Sequence, residues 1–391
     1  MIRRPRRAGA LAALALALPL AALLPRAAGA QTRYIAFGDS ITEGFGDDMS
    51  RTEKGYPPRL QALLQARGKN AVVENDGLGG ETTIQGVMRL GSVLQSAASG
   101  DVLLAMEGTN DIGEKVSLET ITFNLDKMAK KAAAVGVSTV HTTIIPRAPT
   151  ANTDGSNEAT GALAAMVREL AFSNGRKLAD PFEVFFYETP DVFAKDYLGG
   201  ADRLHPNAAG YDLLAEIFAD VLTGADHVPP VPGAFSPADK ETEVPADTSI
   251  VVDLYDFGAG LDLSSTKLVI NGQEVAPPLA GNTGKVHIVY QPPAPLSGVV
   301  NLAVHAQDLA TPPNVLDRQL ARFIIAGTVF LTGDLNLDGR VDGQDLVILA
   351  LAFGAHRADP NFNVAADLNG DGAVDGRDLA ILAASFGESS F

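Results

Sequence analysis

From Arg33 to about Leu222, short runs of β-branched and apolar residues alternate with amphipathic stretches of helical length. Tyr34 to Phe37, Ala71 to Val73, Val102 to Met106, Thr139 to Ile145 and Glu183 to Phe186 read as strands. Arg59 to Ala66, Thr82 to Gln95, Leu118 to Val135, Ala162 to Phe172 and Ala208 to Leu222 read as helices. Such alternation predicts an α/β domain, a parallel sheet covered on both faces by helices. In sheets of this kind ligands bind beyond the carboxyl ends of the strands, so the segments that directly follow strands are where chemistry is expected.

The pattern changes after Thr223. His227-Val228-Pro229-Pro230-Val231-Pro232-Gly233 has the composition of a stiff linker, and no helical period follows it. Ser249 to Leu254, Lys267 to Ile270, Val286 to Tyr290, Val299 to His305 and Ala321 to Ile325 are short β-rich runs, and Asn271-Gly272 is a strong hairpin turn. Their spacing predicts an all-β sandwich, similar to bacterial immunoglobulin-like modules, that serves as a spacer or packing partner. Near the end, Gly333-Asp334-Leu335-Asn336-Leu337-Asp338-Gly339 is echoed 33 residues later by Ala366-Asp367-Leu368-Asn369-Gly370-Asp371-Gly372. Each copy leads into an apolar helix, Leu346 to Phe353 or Leu379 to Phe386, that closes on a Phe-Gly pair. The expected boundaries are 31–225 for the α/β domain, 226–327 for the sandwich and 328–391 for a small duplicated helical module.

Residues 1–30 stand apart from the fold. Arg3, Arg4, Arg6 and Arg7 precede an apolar run from Ala8 to Leu24 that ends in Ala28-Gly29-Ala30, the layout of a secretory signal peptide cleaved before Gln31. A secreted or cell-surface protein with no stable membrane insertion after cleavage is therefore expected. Export permits disulfides, yet the chain has no cysteine, so packing and metal must supply its stability, and thiolate chemistry is excluded. A net charge of −17 argues against a nucleic-acid partner, whose phosphates call for clustered Lys and Arg.

Gly38-Asp39-Ser40 directly follows the first strand. By itself the tripeptide is equally a turn or a helix cap. A serine becomes a useful nucleophile when a neutral histidine, oriented by a carboxylate, takes its proton. Of the six histidines only His205 lies in the α/β region with an aspartate, Asp202, three residues ahead. A D-x-x-H turn can bring the carboxylate to Nδ1 and leave Nε2 for Ser40; the same turn could merely steady the start of the last helix. Two further loops follow strands, Asn75 to Thr82 with its glycines and Gly108-Thr109-Asn110-Asp111, and both can supply N–H donors to an oxyanion.

The order Gly38-Asp39-Ser40, Gly79-Gly80-Glu81-Thr82, Gly108-x-Asn110-Asp111 and Asp202-x-x-His205 resembles the sequence blocks of the SGNH (GDSL-like) hydrolases, across nearly the whole α/β domain. The resemblance implies a flavodoxin-like three-layer fold, a Ser40-His205-Asp202 triad and an oxyanion hole from the Ser40 amide, the Gly80 amide and Asn110. Gly79 departs from the family, which often has serine there. The implied activity is carboxylic ester hydrolysis through an acyl-enzyme with no catalytic cofactor. An acetylated polysaccharide is the leading substrate class; a lysophospholipase or lipase, or an inactive domain in a calcium-dependent binding protein, are the alternatives.

In the tail, oxygen ligands fall at loop positions one, three, five, nine and twelve: Asp334, Asn336, Asp338, Asp342 and Asp345, then Asp367, Asn369, Asp371, Asp375 and Asp378. The carbonyls of Arg340 and Ala373 take position seven, while Gly339 and Gly372 sit at the sharp turn. This spacing suits a hard cation, Ca²⁺ above all. Aspartate at position twelve resembles dockerin modules, and that resemblance implies a cohesin-like protein partner. Gly343-Gln344 and Gly376-Arg377 lack the Ser/Thr pair often used in cohesin recognition, so a calcium-stabilised terminal cap without a partner stays open beside it.

Overall fold

The computed structural model describes residues 31–47, 54–148, 155–188, 198, 204–328, 331–357, 359 and 361–389; the expected signal peptide lies outside them. Strand β1, Thr32–Gly38, carries Ile35, Ala36 and Phe37 fully buried in succession, which requires cover on both faces of its sheet. It is flanked in parallel by β2, Ala71–Gly77, and β3, Val102–Met106, with Tyr34 opposite both Val73 and Val102. Two further parallel strands, β4 (Ser138–Thr142) and β5 (Lys177–Ala179), complete the order β2-β1-β3-β4-β5.

Helix α1 is the single turn Ser40–Glu43. Helix α2, Tyr56–Ala66, packs against α8, Ala208–Thr223, and their contact includes a stacked pair, Tyr56 on Phe218. The other set is α3 (Thr83–Val93), α5 (Leu118–Ala134) and α6 (Ser156–Ser173), with the short α4 (Thr109–Gly113) between β3 and α5. Several expected elements appear with longer ends, whereas the strand expected over Thr139 to Ile145 stops at Thr142 and the helix expected over Thr82 to Gln95 stops at Val93. Glu183 to Phe186 is a correction. It is helical, made of α7 (Pro181–Glu183) and a π turn over Val184–Glu188, and the fifth strand lies upstream at β5. Asp180 caps this turn by accepting from Glu183 N–H at 3.2 Å, and Pro181 fits the first helical position, so local capping outweighs the β preference of the aromatic run.

The second region is a pair of four-stranded antiparallel sheets. One contains β6 (Val231–Ser236), β7 (Ile250–Tyr255), β10 (Leu279–Asn282) and β11 (Lys285–Tyr290); the other contains β8 (Leu261–Ile270), β9 (Gln273–Val275), β12 (Val299–Asp308) and β13 (Val315–Ile324). Their inner faces share one core that includes Val252, Leu254, Leu268, Ile288, Leu302, Val304 and Phe323. The hairpin at Asn271-Gly272 joins β8 to β9 as expected. The stiff linker is shorter than its composition suggests, because Val231–Ser236 is a strand; it lies at a sheet edge, where Pro232 costs no ladder bond.

The tail folds as two loop-helix units, α9 (Gly343–Ala352) and α10 (Gly376–Ser385), over a small core of Val341, Leu349, Ala352, Ala366, Val374 and Leu382. The units exchange backbone bonds. Gly354 N–H donates to the Val374 carbonyl at 2.8 Å, and Gly387 N–H to that of Val341 at 2.8 Å, so each helix end is pinned by the other unit's loop.

Candidate active site

Three adjacent strands, β2, β1 and β3, deliver their following loops to one place. Gly38 ends β1 where nothing larger fits, since a Cβ there would lie 2.2 Å from Thr42 Oγ1 and 2.3 Å from the Met106 carbonyl oxygen. Asp39 then starts α1, its Oδ1 accepting the Ile41 N–H at 2.9 Å, and Ser40 emerges half-buried at the sheet's carboxyl edge. His205, just ahead of α8, comes from the far end of the domain and places Nε2 2.8 Å from Ser40 Oγ. That helix starts on Asn207, whose side chain accepts the Gly210 N–H at 3.0 Å. Asp202 lies outside the described residues.

The loop after β2 is tied to the nucleophile's own turn. Gly79 N–H donates to the Glu43 carboxylate at 2.8 Å, whereas the Gly80 N–H has no partner among the described residues. The loop after β3 is tied in turn to the loop after β2, because Asn110 Nδ2 donates to the Glu81 carbonyl at 2.8 Å. That bond uses one amide hydrogen and leaves the other to a ligand. Glu81 is held by Arg89 at 2.5 Å, and Asp111 accepts from Thr83 N–H at 2.8 Å and Thr83 Oγ1 at 2.6 Å. Ser40, Gly80, Asn110 and His205 thus converge on one rim, while Glu43, Glu81 and Asp111 fix its geometry. Glu81 and Asp111 stand inside the motif blocks without a role of their own there, and Glu43, three residues after Ser40, could pass for ordinary helix surface.

Behind the rim lie buried carboxyl groups, Asp39, Glu107 and Asp111. Burial pushes the Asp39 carboxyl up to about 6, a rise that its hydrogen bond to Ile41 and the nearby His205 partly oppose. Glu107, at the end of β3, is fully buried, and neither carboxyl oxygen makes a direct hydrogen bond. Burial first, and then the facing Asp39, Glu81 and Asp111, hold it well above the usual carboxylate range. His141, the other histidine of this domain, is buried at the end of β4. Burial and the adjacent Arg176 push it down to about 4, and it pairs with Arg176 at 3.1 Å instead of reaching the rim.

The tail's two loops have the donor chemistry of a hard-cation site. Asp345 and Asp378 are fully buried, with Asp334 and Asp367 nearly so. Backbone N–H groups already orient them: Gly339 to Asp334 at 2.9 Å, Asp342 to Asp345 at 2.8 Å, Gly372 to Asp367 at 2.9 Å and Asp375 to Asp378 at 2.8 Å. Asp367 Oδ1 is buried with no hydrogen-bond partner, the state of an oxygen that a cation would satisfy. The residues present therefore fit Ca²⁺.

Residues 36–213 match the family model of the GDSL-like lipase/acylhydrolases, and residues 332–386 match that of the dockerin type I domain. The chain is similar to an arylesterase of Vibrio mimicus, 30% identical over 125 residues that make up 32% of this chain and 60% of that protein. It is also similar to the esterase TesA of Pseudomonas aeruginosa, 33% identical over 114 residues, 29% of this chain and 54% of that protein. The chain therefore matches less than two thirds of the length of these relatives. Among solved structures, a lipolytic protein of the G-D-S-L family from Veillonella parvula is 22% identical, covers 50% of this chain and 99% of its own, and superposes with a TM-score of 0.43. A catalytic mutant of Axe2, an acetylxylan esterase from Geobacillus stearothermophilus, is 20% identical, covers 49% of this chain and 94% of its own, and has a TM-score of 0.40.

Proposed function

We propose that this chain, whose residues 36–213 match the family model of the GDSL-like lipase/acylhydrolases and residues 332–386 that of the dockerin type I domain, is a secreted serine esterase that removes short acyl groups, acetate first, from polysaccharide. The observation that carries the reading is the 2.8 Å contact between Ser40 Oγ and His205 Nε2 at the carboxyl edge of the sheet. As the ester carbonyl arrives, Ser40 Oγ attacks its carbon while the hydroxyl proton passes to Nε2. Asp202, three residues ahead, orients the ring through Nδ1 and balances the imidazolium. Negative charge gathers on the carbonyl oxygen, where the amides of Ser40 and Gly80 and the side-chain amide of Asn110 receive it. The open Gly80 N–H, beside a Gly79 N–H already engaged by Glu43, supports Gly80 as the donor. His205 then protonates the departing alkoxide, and water activated by the same base releases the acid. Apart from the attacking water, the groups named in these steps are side chains or backbone amides of this chain.

In the tail, Asp334, Asn336, Asp338, Asp342, Asp345 and the Arg340 carbonyl would hold one Ca²⁺, and Asp367, Asn369, Asp371, Asp375, Asp378 and the Ala373 carbonyl a second. The two bound Ca²⁺ would offset about half the charge of the eight aspartates and stabilise the module, which then docks on a cohesin-like partner. The expected signal in residues 1–30 delivers the protein to the cell surface or medium. Among the described residues no helix is long and apolar enough to cross a membrane.

One observation favours a second reading. Leu78, Ile84 and Met88 are 49%, 55% and 70% exposed along the loop after β2 and the helix it enters, an apolar strip that could take a longer acyl chain. Hydrolysis of p-nitrophenyl esters from acetate to palmitate by the mature protein, with Ser40→Ala alongside, separates the two. Activity falling from acetate onward, abolished in the variant and insensitive to chelator, is expected; a preference for long chains selects the lipase reading. Equal activity of the variant and wild type rejects the triad.

A further inference from the structure

Phe45 is the residue that most needs an explanation outside the triad. It is 60% exposed, a large apolar loss for a ring that the neighbouring core could have taken in. Its exposure is not a matter of a loose backbone. The Phe45 N–H donates to the Ser40 carbonyl at 2.9 Å, and the Phe45 carbonyl accepts from the fully buried Tyr211 hydroxyl at 2.6 Å. The next residue, Gly46, runs at φ +85° so close to the base that a Cβ there would lie 2.8 Å from His205 Cβ. Asp47 follows, buried and gripped by both terminal nitrogens of Arg59 at 2.7 and 2.9 Å. A rigid loop thus presents the ring, edge to face with His205 at 4.6 Å between centroids.

The side of the site on which it stands follows from the reaction. His205 Nε2 receives the Ser40 proton and returns it to the leaving oxygen, so that oxygen, and the alcohol carbons attached to it, must lie next to the imidazole. A ring fixed against that imidazole meets the alcohol part of the substrate, whereas two of the three proposed oxyanion donors, the Gly80 amide and Asn110, lie on the loops after β2 and β3. We propose that Phe45 is a specificity-determining residue, an aromatic platform for an alcohol with a flat ring face, whether the C–H face of a pyranose or an aryl group. The inference rests on the esterase reading and deepens it.

The test compares Phe45→Ala, Phe45→Leu and Phe45→Tyr with wild type on three acetates: ethyl acetate, phenyl acetate and an acetylated xylo-oligosaccharide. Because the ring is mostly exposed, all three variants should fold. Phe45→Ala and Phe45→Leu are expected to raise KM for the ring-bearing acetates by roughly tenfold with kcat little changed, to leave kcat/KM for ethyl acetate within about twofold of wild type, and to be rescued by Phe45→Tyr. A loss on the oligosaccharide alone assigns a glycan; a loss on both ring acetates assigns any flat ring. Equal losses on ethyl acetate would mean that the ring only packs against His205, and no loss anywhere would mean that it does not meet the substrate; either overturns the proposal while the esterase reading stands. Wild type that cleaves none of the three overturns both.

Discussion

Ser40→Ala should lower kcat/KM for p-nitrophenyl acetate by about 10³-fold or more while leaving the melting temperature near that of wild type, since it removes one exposed-edge hydroxyl and no packing. The buried carboxyls behave differently, because their influence is on stability. Asp39, raised to about 6, and Glu107, held well above the usual carboxylate range, both bind protons more tightly folded than unfolded. Their contribution therefore favours the native state in acid and is lost as pH rises from the unfolded carboxylate range through the folded values. Glu107→Gln, which keeps the shape without the ionisable proton, should accordingly melt higher than wild type at pH 8 and no higher at pH 4. An unchanged difference across a thermal series from pH 4 to 9 would refute this. Ser40, Gly80, Asn110 and His205 were legible because each sits where a strand pattern stops and in an order that carries meaning. Glu107 was not, since a single glutamate after an apolar strand reads as the start of a loop; only the tertiary cover over β3 makes it a buried acid.

At the scale of the element, legibility followed how local the determinants are. The Asn271-Gly272 hairpin and the two tail helices were readable because a turn residue or a cap decides them within a few positions. Lys177–Ala179 was not, because three residues hold no period and only pairing with β4 makes them a strand. The tail loops are the most local case. Both helices start with a capping box, Asp342 with Asp345 and Asp375 with Asp378, so the ligand at position twelve also fixes the first turn. Asp378→Ala should thus lower calcium affinity and loosen α10 together, visible by calorimetric titration with Ca²⁺ and by loss of the calcium-induced rise in melting temperature of the tail. Chelator should reproduce the loosening in wild type without slowing ester hydrolysis, and a matching fall in activity would contradict the separation of the two sites.

Across the whole molecule, the sandwich does more than space the ends apart. Arg168 of α6 is buried between Asp180 at 2.7 Å and Glu183 at 3.1 Å, and it donates across to the Pro232 carbonyl of β6 at 2.6 Å. Arg318 of β13 reaches back to both oxygens of the fully buried Glu183 and lies 3.5 Å over the Tyr187 ring. A second contact joins Lys285 and Tyr255 of the sandwich to Glu169 of α6, the lysine at 2.6 Å. Removing one member leaves a buried charge short of its partner, so Arg318→Met should cost about 3 kcal/mol, read as a fall in the denaturation midpoint of the hydrolase region itself. Sequence periodicity marks the boundary near residue 226 but carries no trace of this pairing, whose members lie up to 150 positions apart in the chain.

The shared carboxylate of Glu183 also bears on how such chains can be recombined. An engineer grafting this hydrolase onto another scaffold would be tempted to cut near residue 226, where the strand pattern changes. That cut takes Arg318 away from the buried Glu183 and the Pro232 carbonyl away from Arg168 in the half that is kept. The exchangeable cassette runs instead from Gln31 past β13 to Thr328, keeping Ile325 in the sandwich core, with the bond from Arg322 to the Asn336 carbonyl as a tie to the duplicated tail.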